Sequence, residues 1–145
     1  MKKFLSFIKI IRPLNVLSSA VAILFSSFIS DYQGSLEQIL IPILVVVFFT
    51  IGANVLNDYF DYETDKINRP DRSIVKGDIT REQALYFSLI SFIIGIYFAL
   101  RLSSDSQIIS LGISLPLLFL YNAKIKNYPL IGNIIVSIII GLSFI

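Results

Sequence analysis

A row of acidic and carboxamide side chains follows an uninterrupted apolar run and offers the clearest chemistry in the sequence. Residues 39–53 pass without a break into Asn-Val-Leu-Asn-Asp-Tyr-Phe-Asp-Tyr-Glu-Thr-Asp. In one continuous helix, turning about 100° per residue, a roughly 100° arc holds five of these side chains. We call this set the acidic face: Asn54, Asn57, Asp58, Asp61 and Asp65. Three carboxylates on one face repel each other and are costly to remove from water, so a cation is expected among them.

The rest of the composition restricts which cation this is. The chain has no cysteine and no histidine, which excludes disulfides, thiolate sites, imidazole ligands and a histidine base. Carboxylate and amide oxygens suit Mg²⁺, Mn²⁺ or Ca²⁺, and Mg²⁺ usually keeps several waters and shares its coordination shell with substrate phosphates. We therefore predict a metal-bridged diphosphate site with Asp58, Asp61 and Asp65 as metal ligands. The alternative is a solvated helix end, but acidic residues at a helix carboxyl end oppose the macrodipole.

A basic loop follows the acidic face directly, over residues 66–77. Arginine and lysine beside an acidic metal site can bind phosphate oxygens. Arg69 and Arg72 stand close to the acidic face in sequence, so we predict a phosphate-binding role for them and less of one for Lys76. The alternative is an ordinary cytoplasmic loop, whose location alone explains its basic character.

Composition places the chain in a membrane. Of its 145 residues 55% are hydrophobic, and the mean hydropathy is +0.79, beyond that of ordinary soluble domains. The predicted fold class is all-α, a polytopic transmembrane helix bundle forming a single membrane domain over residues 1–145. An amphipathic lead-in over 1–13 precedes five apolar helices at about 14–30, 39–65, 81–101, 107–121 and 130–145. Thr80 is the predicted cap of the third helix, and Pro116 predicts a kink in the fourth. A secretory signal peptide is the weaker interpretation of the amino terminus, because Arg12 and Pro13 interrupt its apolar region.

The distribution of basic residues predicts the orientation. Eleven of the twelve lysines and arginines fall in the amino terminus, the loop 66–81 and the loop 122–129, which alternate with two connections that hold the remaining one. Under the positive-inside rule, the amino terminus and the acidic face lie on the cytoplasmic side of the cell membrane. The bilayer is then the main partner, and no nucleic acid partner is expected.

The same residues carry a resemblance to a known family. The run Asn-Asp-Tyr-Phe-Asp-Tyr-Glu-Thr-Asp-Lys-Ile-Asn-Arg-Pro-Asp-Arg at 57–72 resembles the first aspartate-rich signature of the UbiA-type intramembrane prenyltransferases. Ile-Arg-Pro-Leu-Asn at 11–15 is similar to the opening of that family. Tyr-Asn-Ala-Lys-Ile-Lys at 121–126 and Gly-Asn at 132–133 resemble the stretch that joins its fourth and fifth helices.

This resemblance implies an enzyme that transfers a polyprenyl group from its diphosphate to a lipid-like acceptor. Mg²⁺ held by two aspartate-rich motifs would bind the diphosphate, which departs before the acceptor attacks the allylic cation. The first motif here would supply Asp58, Asp61 and Asp65 as catalytic residues and as ligands of Mg²⁺. The substrate-binding residues carried over are Asn15, Asn54, Asn57, Arg69, Arg72 and Lys126.

The run from Asp61 to Arg72 is most similar to the family members that transfer a geranylgeranyl group to geranylgeranylglyceryl phosphate. Quinone- and haem-directed members share much of this motif and stay open as alternatives. Two departures stand out: Ser73 replaces the proline of a second Arg-Pro pair, and the chain has about five helices of a nine-helix fold. We therefore expect a truncated chain that lacks the second aspartate-rich motif, and an inactive remnant is a further alternative.

Two other classes of membrane protein are alternatives to this enzyme. A CDP-alcohol phosphotransferase also carries an aspartate-rich motif, but its signature needs an Asp-Gly and Ala-Arg element ahead of Asp-x-x-x-Asp, which is missing before Asp61. A cation channel or transporter segment would place carboxylates near the middle of the membrane. Here the apolar part of the helix comes first and the carboxylates follow at its end, which favours the enzyme.

Overall fold

A computed structural model describes residues 2–142, apart from the side chains of Lys2, Asn127 and Pro129. Within this range all regular elements are helical. The α-helices are α1 (Lys2–Ile11), α2 (Pro13–Ile29), α3 (Leu36–Phe60), α4 (Tyr62–Asn68), α5 (Arg81–Ala99), α6 (Ser104–Gln107), α7 (Leu115–Ala123) and α8 (Pro129–Leu142). A π-helical segment, Ile108–Ser114, joins α6 to α7, and a 3₁₀ turn, Ile125–Asn127, precedes α8.

Several of these helices are long and apolar enough to cross a membrane. Three described segments qualify directly: α3, α5 and the continuous stretch Ser104–Ala123. The pair α1 and α2 qualifies as a fourth, bent by 44° at its junction. The all-helical membrane bundle predicted from the sequence is thereby confirmed. The predicted helix 130–145 corresponds to a shorter apolar helix, and its last three residues lie outside the described ones, as does Met1 of the lead-in.

The centre of the bundle is helix α3, which packs along α5 and α2. Glycines allow α3 and α5 to approach closely, as is common between membrane helices. A Cβ added to Gly95 of α5 would lie 2.5 Å from the ring of Phe49, and one added to Gly52 of α3 would lie 3.0 Å from the ring of Phe92. Each helix thus receives a phenylalanine of the other, and Ser88 also donates to the Gly52 carbonyl over 2.8 Å.

Gly95→Ala should destabilise this contact. The buried Phe49 ring must move to admit the methyl group, so we expect a loss of about 1–3 kcal/mol in the free energy of unfolding. Denaturant or thermal unfolding in detergent micelles measures it. Gly141→Ala is the matched control because nothing lies within 4 Å of its added Cβ. Equal stability of the two variants would contradict this packing.

The acidic end of α3 differs in one respect from the continuous helix 39–65 predicted from sequence. Asp61, with φ −81° and ψ 2°, ends α3, and α4 begins at the next residue. The helical hydrogen bonding nevertheless continues across it, since Asp61 N–H donates to the Asn57 carbonyl and Asp65 N–H to the Asp61 carbonyl. The side chains of the acidic face therefore keep their helical spacing across the break at Asp61.

The fourth predicted span also contains a local irregularity. Its π-helical segment ends at Ser114, two residues before Pro116, and Leu115 N–H donates to Ser110, five residues earlier. Proline removes a backbone donor and disturbs the turn before it. The sequence predicts a kink at Pro116, and the structure shows this widened turn immediately ahead of it.

Residues 69–80, which contain most of the basic loop and lead into α5, pack against α1. We call this segment the strap. Ile74 and Ile79 are buried against Ile10 of α1 and Val55 of α3. Ser6 of α1 donates to Asp78 over 3.1 Å. Thr80 then caps α5 by accepting from Gln83 N–H over 3.2 Å, which confirms the cap that the sequence predicts. The packing of the strap thus determines which side chains Arg72 can contact.

Candidate active site

A large open cavity of about 1270 Å³ lies between α2, α3, the Ser104–Ala123 span and α8. Its middle is lined by apolar side chains such as Val45, Phe49 and Ala53. The end near the carboxyl terminus of α3 is polar, with Arg12, Asn15, Asn54, Asn57 and Asn122. The cavity therefore joins an apolar channel to one end of the acidic face.

The acidic face points in two adjacent directions, and the helical angle explains the division. Relative to Asn54, Asn57 and Asp61 lie at roughly −60° and −20°, whereas Asp58 and Asp65 lie at roughly +40° and +20°. The structure brings the first pair towards Lys126. It brings the second pair and Asn54 towards α1, its junction with α2, and the strap.

On the first side, Asp61 is held between an amide and an ammonium group. Asn57 Nδ2 donates to its Oδ2 over 2.8 Å, and Lys126 Nζ lies 2.5 Å from its Oδ1. The side chain of Asp61 is 27% exposed and that of Lys126 is 14% exposed. Apart from this ion pair, the buried Nζ has no hydrogen-bond partner among the described side chains. It therefore keeps N–H groups for an anion.

On the second side, Asp58 is almost fully buried, at 3% exposure, between two arginines. Arg12 Nη2 lies 2.5 Å from its Oδ1, and Arg72 Nη1 donates to the same oxygen. One turn earlier, Asn54 Nδ2 donates to the carbonyl of Ile11 over 2.8 Å. These contacts tie α3 to both the α1–α2 junction and the strap.

Asp65 is buried in α4 at the centre of the charged cluster, 6% exposed. Among residues 2–142 its one ion-pair contact is long, 4.0 Å from Oδ2 to Arg72 Nε. Burial raises the pKa of Asp65, Arg72 opposes this effect, and the neighbouring charges of Asp58 and Asp61 reinforce it. An added cation would relieve this unfavourable charge.

The carboxylates of this site could supply only some of the ligands in the coordination shell of a divalent cation such as Mg²⁺. Asp61 and Asp65 stand one helical turn apart with carboxylate oxygens, the ligand type that Mg²⁺ prefers. Within the described part of the chain, no three carboxylates converge closely enough to enclose a metal by themselves. A Mg²⁺ ion here would complete its coordination with water and substrate phosphate oxygens, as this ion commonly does.

The remaining predicted residues are placed less tightly. Asn15 is exposed to the cavity. Arg69 is exposed at the end of α4. Its positive charge opposes the rise in the pKa of Asp65, but less strongly than the charge of Arg72 does.

Two residues at the site were missed by the sequence analysis. The sequence places Arg12 in the lead-in and in the run 11–15 without a site role, but it lines the cavity and pairs with Asp58. Asn122 is 2% exposed and its Oδ1 has no hydrogen-bond partner within the described range. The available signal was its place four residues before Lys126 in the run Tyr-Asn-Ala-Lys-Ile-Lys.

Comparison with known proteins is consistent with this geometry. Residues 17–145 match the model of the UbiA prenyltransferase family. The digeranylgeranylglyceryl phosphate synthase of Pyrococcus horikoshii is 37% identical over 136 residues, which are 92% of this chain and 48% of that protein. The protein of the same name from Methanosphaera stadtmanae is 35% identical over 139 residues, 96% of this chain and 50% of that protein.

A solved structure agrees with the fold. It comes from work on digeranylgeranylglyceryl phosphate synthase in membranes and superposes with a TM-score of 0.92 at 32% identity, covering 99% of this chain and 52% of its own. The chain thus spans about half the length of the relatives it matches. Since the family model covers nearly all of the sequence, and the acidic face lies inside the match, the chain belongs to the UbiA prenyltransferase family.

Proposed function

We propose that this chain forms the diphosphate-binding part of an intramembrane prenyltransferase. The protein would transfer a polyprenyl group, geranylgeranyl in our proposal, from its diphosphate to a lipid-type acceptor such as geranylgeranylglyceryl phosphate. The observation that carries this proposal is the junction of the acidic face with the apolar cavity: Asn57 lines the cavity and binds Asp61, which pairs with Lys126.

Each side of this junction suits one part of a prenyl diphosphate. Lys126 and Arg72 provide N–H donors for phosphate oxygens, and Asp61 and Asp65 would hold Mg²⁺ against the same group. When bound, Mg²⁺ would stabilise the negative charge that grows on the departing diphosphate. The open, mainly apolar cavity beyond would accommodate the hydrocarbon tail of the substrate.

The reaction then exchanges one carbon–oxygen bond for another. The bond from the allylic carbon to the diphosphate oxygen breaks, and the acceptor hydroxyl oxygen bonds to that carbon and releases its proton. Positive groups that are already in position stabilise the charge developing on the diphosphate without having to rearrange. Such preorganised electrostatic stabilisation is usually the largest contribution to catalysis. Lys126 is well placed for this role because its Nζ is buried beside the site.

A transfer assay tests the proposal. The complete protein that contains this chain is reconstituted in lipid nanodiscs with radiolabelled geranylgeranyl diphosphate and geranylgeranylglyceryl phosphate. We expect a labelled ether lipid that forms with Mg²⁺ and not with EDTA. A quinone precursor supplied in parallel distinguishes the acceptor classes. No transfer to any acceptor from any prenyl diphosphate would contradict the proposal.

The proposed orientation has its own test. Because the chain has no cysteine, single cysteines can be labelled without background. Gln33 and Glu82 are exposed at opposite ends of the bundle. With the acidic face cytoplasmic, a membrane-impermeant maleimide should label Gln33→Cys in intact cells and Glu82→Cys only after permeabilisation. The reverse pattern would overturn the orientation.

A further inference from the structure

The junction between α1 and α2 is held in an unusual backbone conformation. Arg12 has φ 57° and ψ 73°, in the left-handed region, and it precedes a proline, which further restricts its backbone. Such a conformation in a residue other than glycine persists only when its surroundings impose it. The bend of 44° between the two helices is centred on this residue.

Two side chains of α3, one helical turn apart, impose the conformation. Asn54 binds the carbonyl of Ile11 over 2.8 Å, and Asp58 binds the guanidinium of Arg12 over 2.5 Å. One contact therefore fixes the backbone just before the bend and the other fixes the side chain at the bend. Helix α3 is the rigid centre of the bundle, so it can serve as the anchor.

Asp58 also holds the strap. Its Oδ1 accepts from both Arg12 and Arg72, which come from segments 60 residues apart in sequence. Both arginines line a small cavity of about 250 Å³ beside the main one, and Arg12 lines both cavities. The bonds to Asp58 use one nitrogen of each guanidinium group, so other N–H donors of both arginines remain for an anion.

This environment differs from that of a carboxylate available to a metal. Asp58 is 3% exposed and lies against two guanidinium groups, whose positive charges repel a metal cation at the same place. Asp61 is 27% exposed and faces the opposite part of the arc. The two neighbouring aspartates of the sequence motif therefore occupy different chemical settings.

We propose that Asp58 is a positioning residue: it locks the α1–α2 junction and presents Arg12 and Arg72 side by side to the substrate phosphates, and it does not bind the metal. The proposal rests on the proposed function for its substrate, but the structural lock stands independently of activity. It replaces the metal-ligand role that the sequence predicts for Asp58 and leaves that role to Asp61 and Asp65.

Steady-state kinetics of the complete protein separate the two roles of Asp58. For Asp58→Asn we expect the KM for geranylgeranyl diphosphate to rise about tenfold while the Mg²⁺ concentration for half-maximal rate stays within about twofold of wild type. Asp65→Asn, the matched buried carboxylate, should raise the Mg²⁺ requirement instead. The double variant Arg12→Ala, Asp58→Asn should have a KM for geranylgeranyl diphosphate no higher than that of the more severe single variant. A raised Mg²⁺ requirement in Asp58→Asn, or additive effects with Arg12→Ala, would overturn the proposal.

A distance measurement tests the lock without relying on activity. Nitroxides on Leu5→Cys in α1 and Phe25→Cys in α2, both exposed, report the bend by pulsed electron paramagnetic resonance. We expect one narrow distance distribution in the otherwise native protein and in Asp65→Asn, and a broadened or shifted one in Asp58→Asn. An unchanged distribution in Asp58→Asn would refute the lock. Loss of all transfer in the native protein together with a broadened Asp58→Asn distribution would refute the proposed function and leave the lock supported.

Discussion

Asp61→Asn should lower kcat for prenyl transfer by about 10²-fold or more, since mutations of single groups that stabilise transition-state charge have effects of this order. The substitution removes a carboxylate proposed to face Mg²⁺. It also removes the counter-charge of Lys126, whose Nζ lies 2.5 Å from Asp61. Rates at saturating geranylgeranyl diphosphate over a range of Mg²⁺ concentrations measure the effect.

Glu63→Gln is the matched control for this variant. Glu63 lies two residues further along, its side chain is 75% exposed, and it pairs with Lys66 on the surface. It changes the charge of the protein by the same amount without touching the acidic face, so near-native activity is expected. If Asp61→Asn kept its activity, or if Glu63→Gln lost as much, the assignment of the acidic face to the diphosphate site would be wrong.

Asp65→Asn should separate activity from stability. We expect kcat to fall by about 10²-fold, on the same grounds as for Asp61, while the melting temperature rises in the absence of divalent metal. Burial disfavours the charged form of Asp65, as the raised pKa of this group shows, and asparagine removes that charge while keeping its shape. This result would be the usual trade-off at a functional site, where a substitution that increases stability reduces activity.

The pH and Mg²⁺ dependence of melting provide the measurement. Because the folded state raises the pKa of Asp65, native stability is lost as the pH rises through that pKa and regained as it falls. The difference between variant and native melting temperatures should therefore shrink at low pH. Added Mg²⁺ should stabilise the native protein by mass action and affect the variant less. A variant less stable than the native protein at neutral pH would contradict this account.

Local patterns were enough to predict much of the molecule. The helical period placed the acidic side chains on one arc, and the structure retains that arc although Asp61 interrupts the helix. Apolar run length predicted membrane helices, and the capping pattern located the start of α5 at Thr80. These features depend on residues a few positions apart, which is the range over which sequence patterns are informative.

The missed features all depend on contacts between distant segments. Arg12 reaches Asp58 across 46 positions, and Ser73 reaches the backbone of Ser6 across 67. A basic residue near the amino terminus of a membrane protein reads as an orientation signal, so its role in the site was hidden. The helical angles explain how the acidic face divides, but which neighbour lies beside each half depends on the packing of α1, the strap and the 3₁₀ turn that holds Lys126.

The most direct test of the central claim is the affinity for geranylgeranyl diphosphate with and without Mg²⁺. Equilibrium binding to the complete protein in nanodiscs needs no acceptor and no turnover. We expect Mg²⁺ to tighten binding by at least about tenfold, in line with its role of bridging carboxylates and phosphates, and Asp61→Asn to abolish this gain. Equal affinity in Mg²⁺ and EDTA, or native Mg²⁺ dependence in Asp61→Asn, would show that the acidic face does not bind a metal-bridged diphosphate.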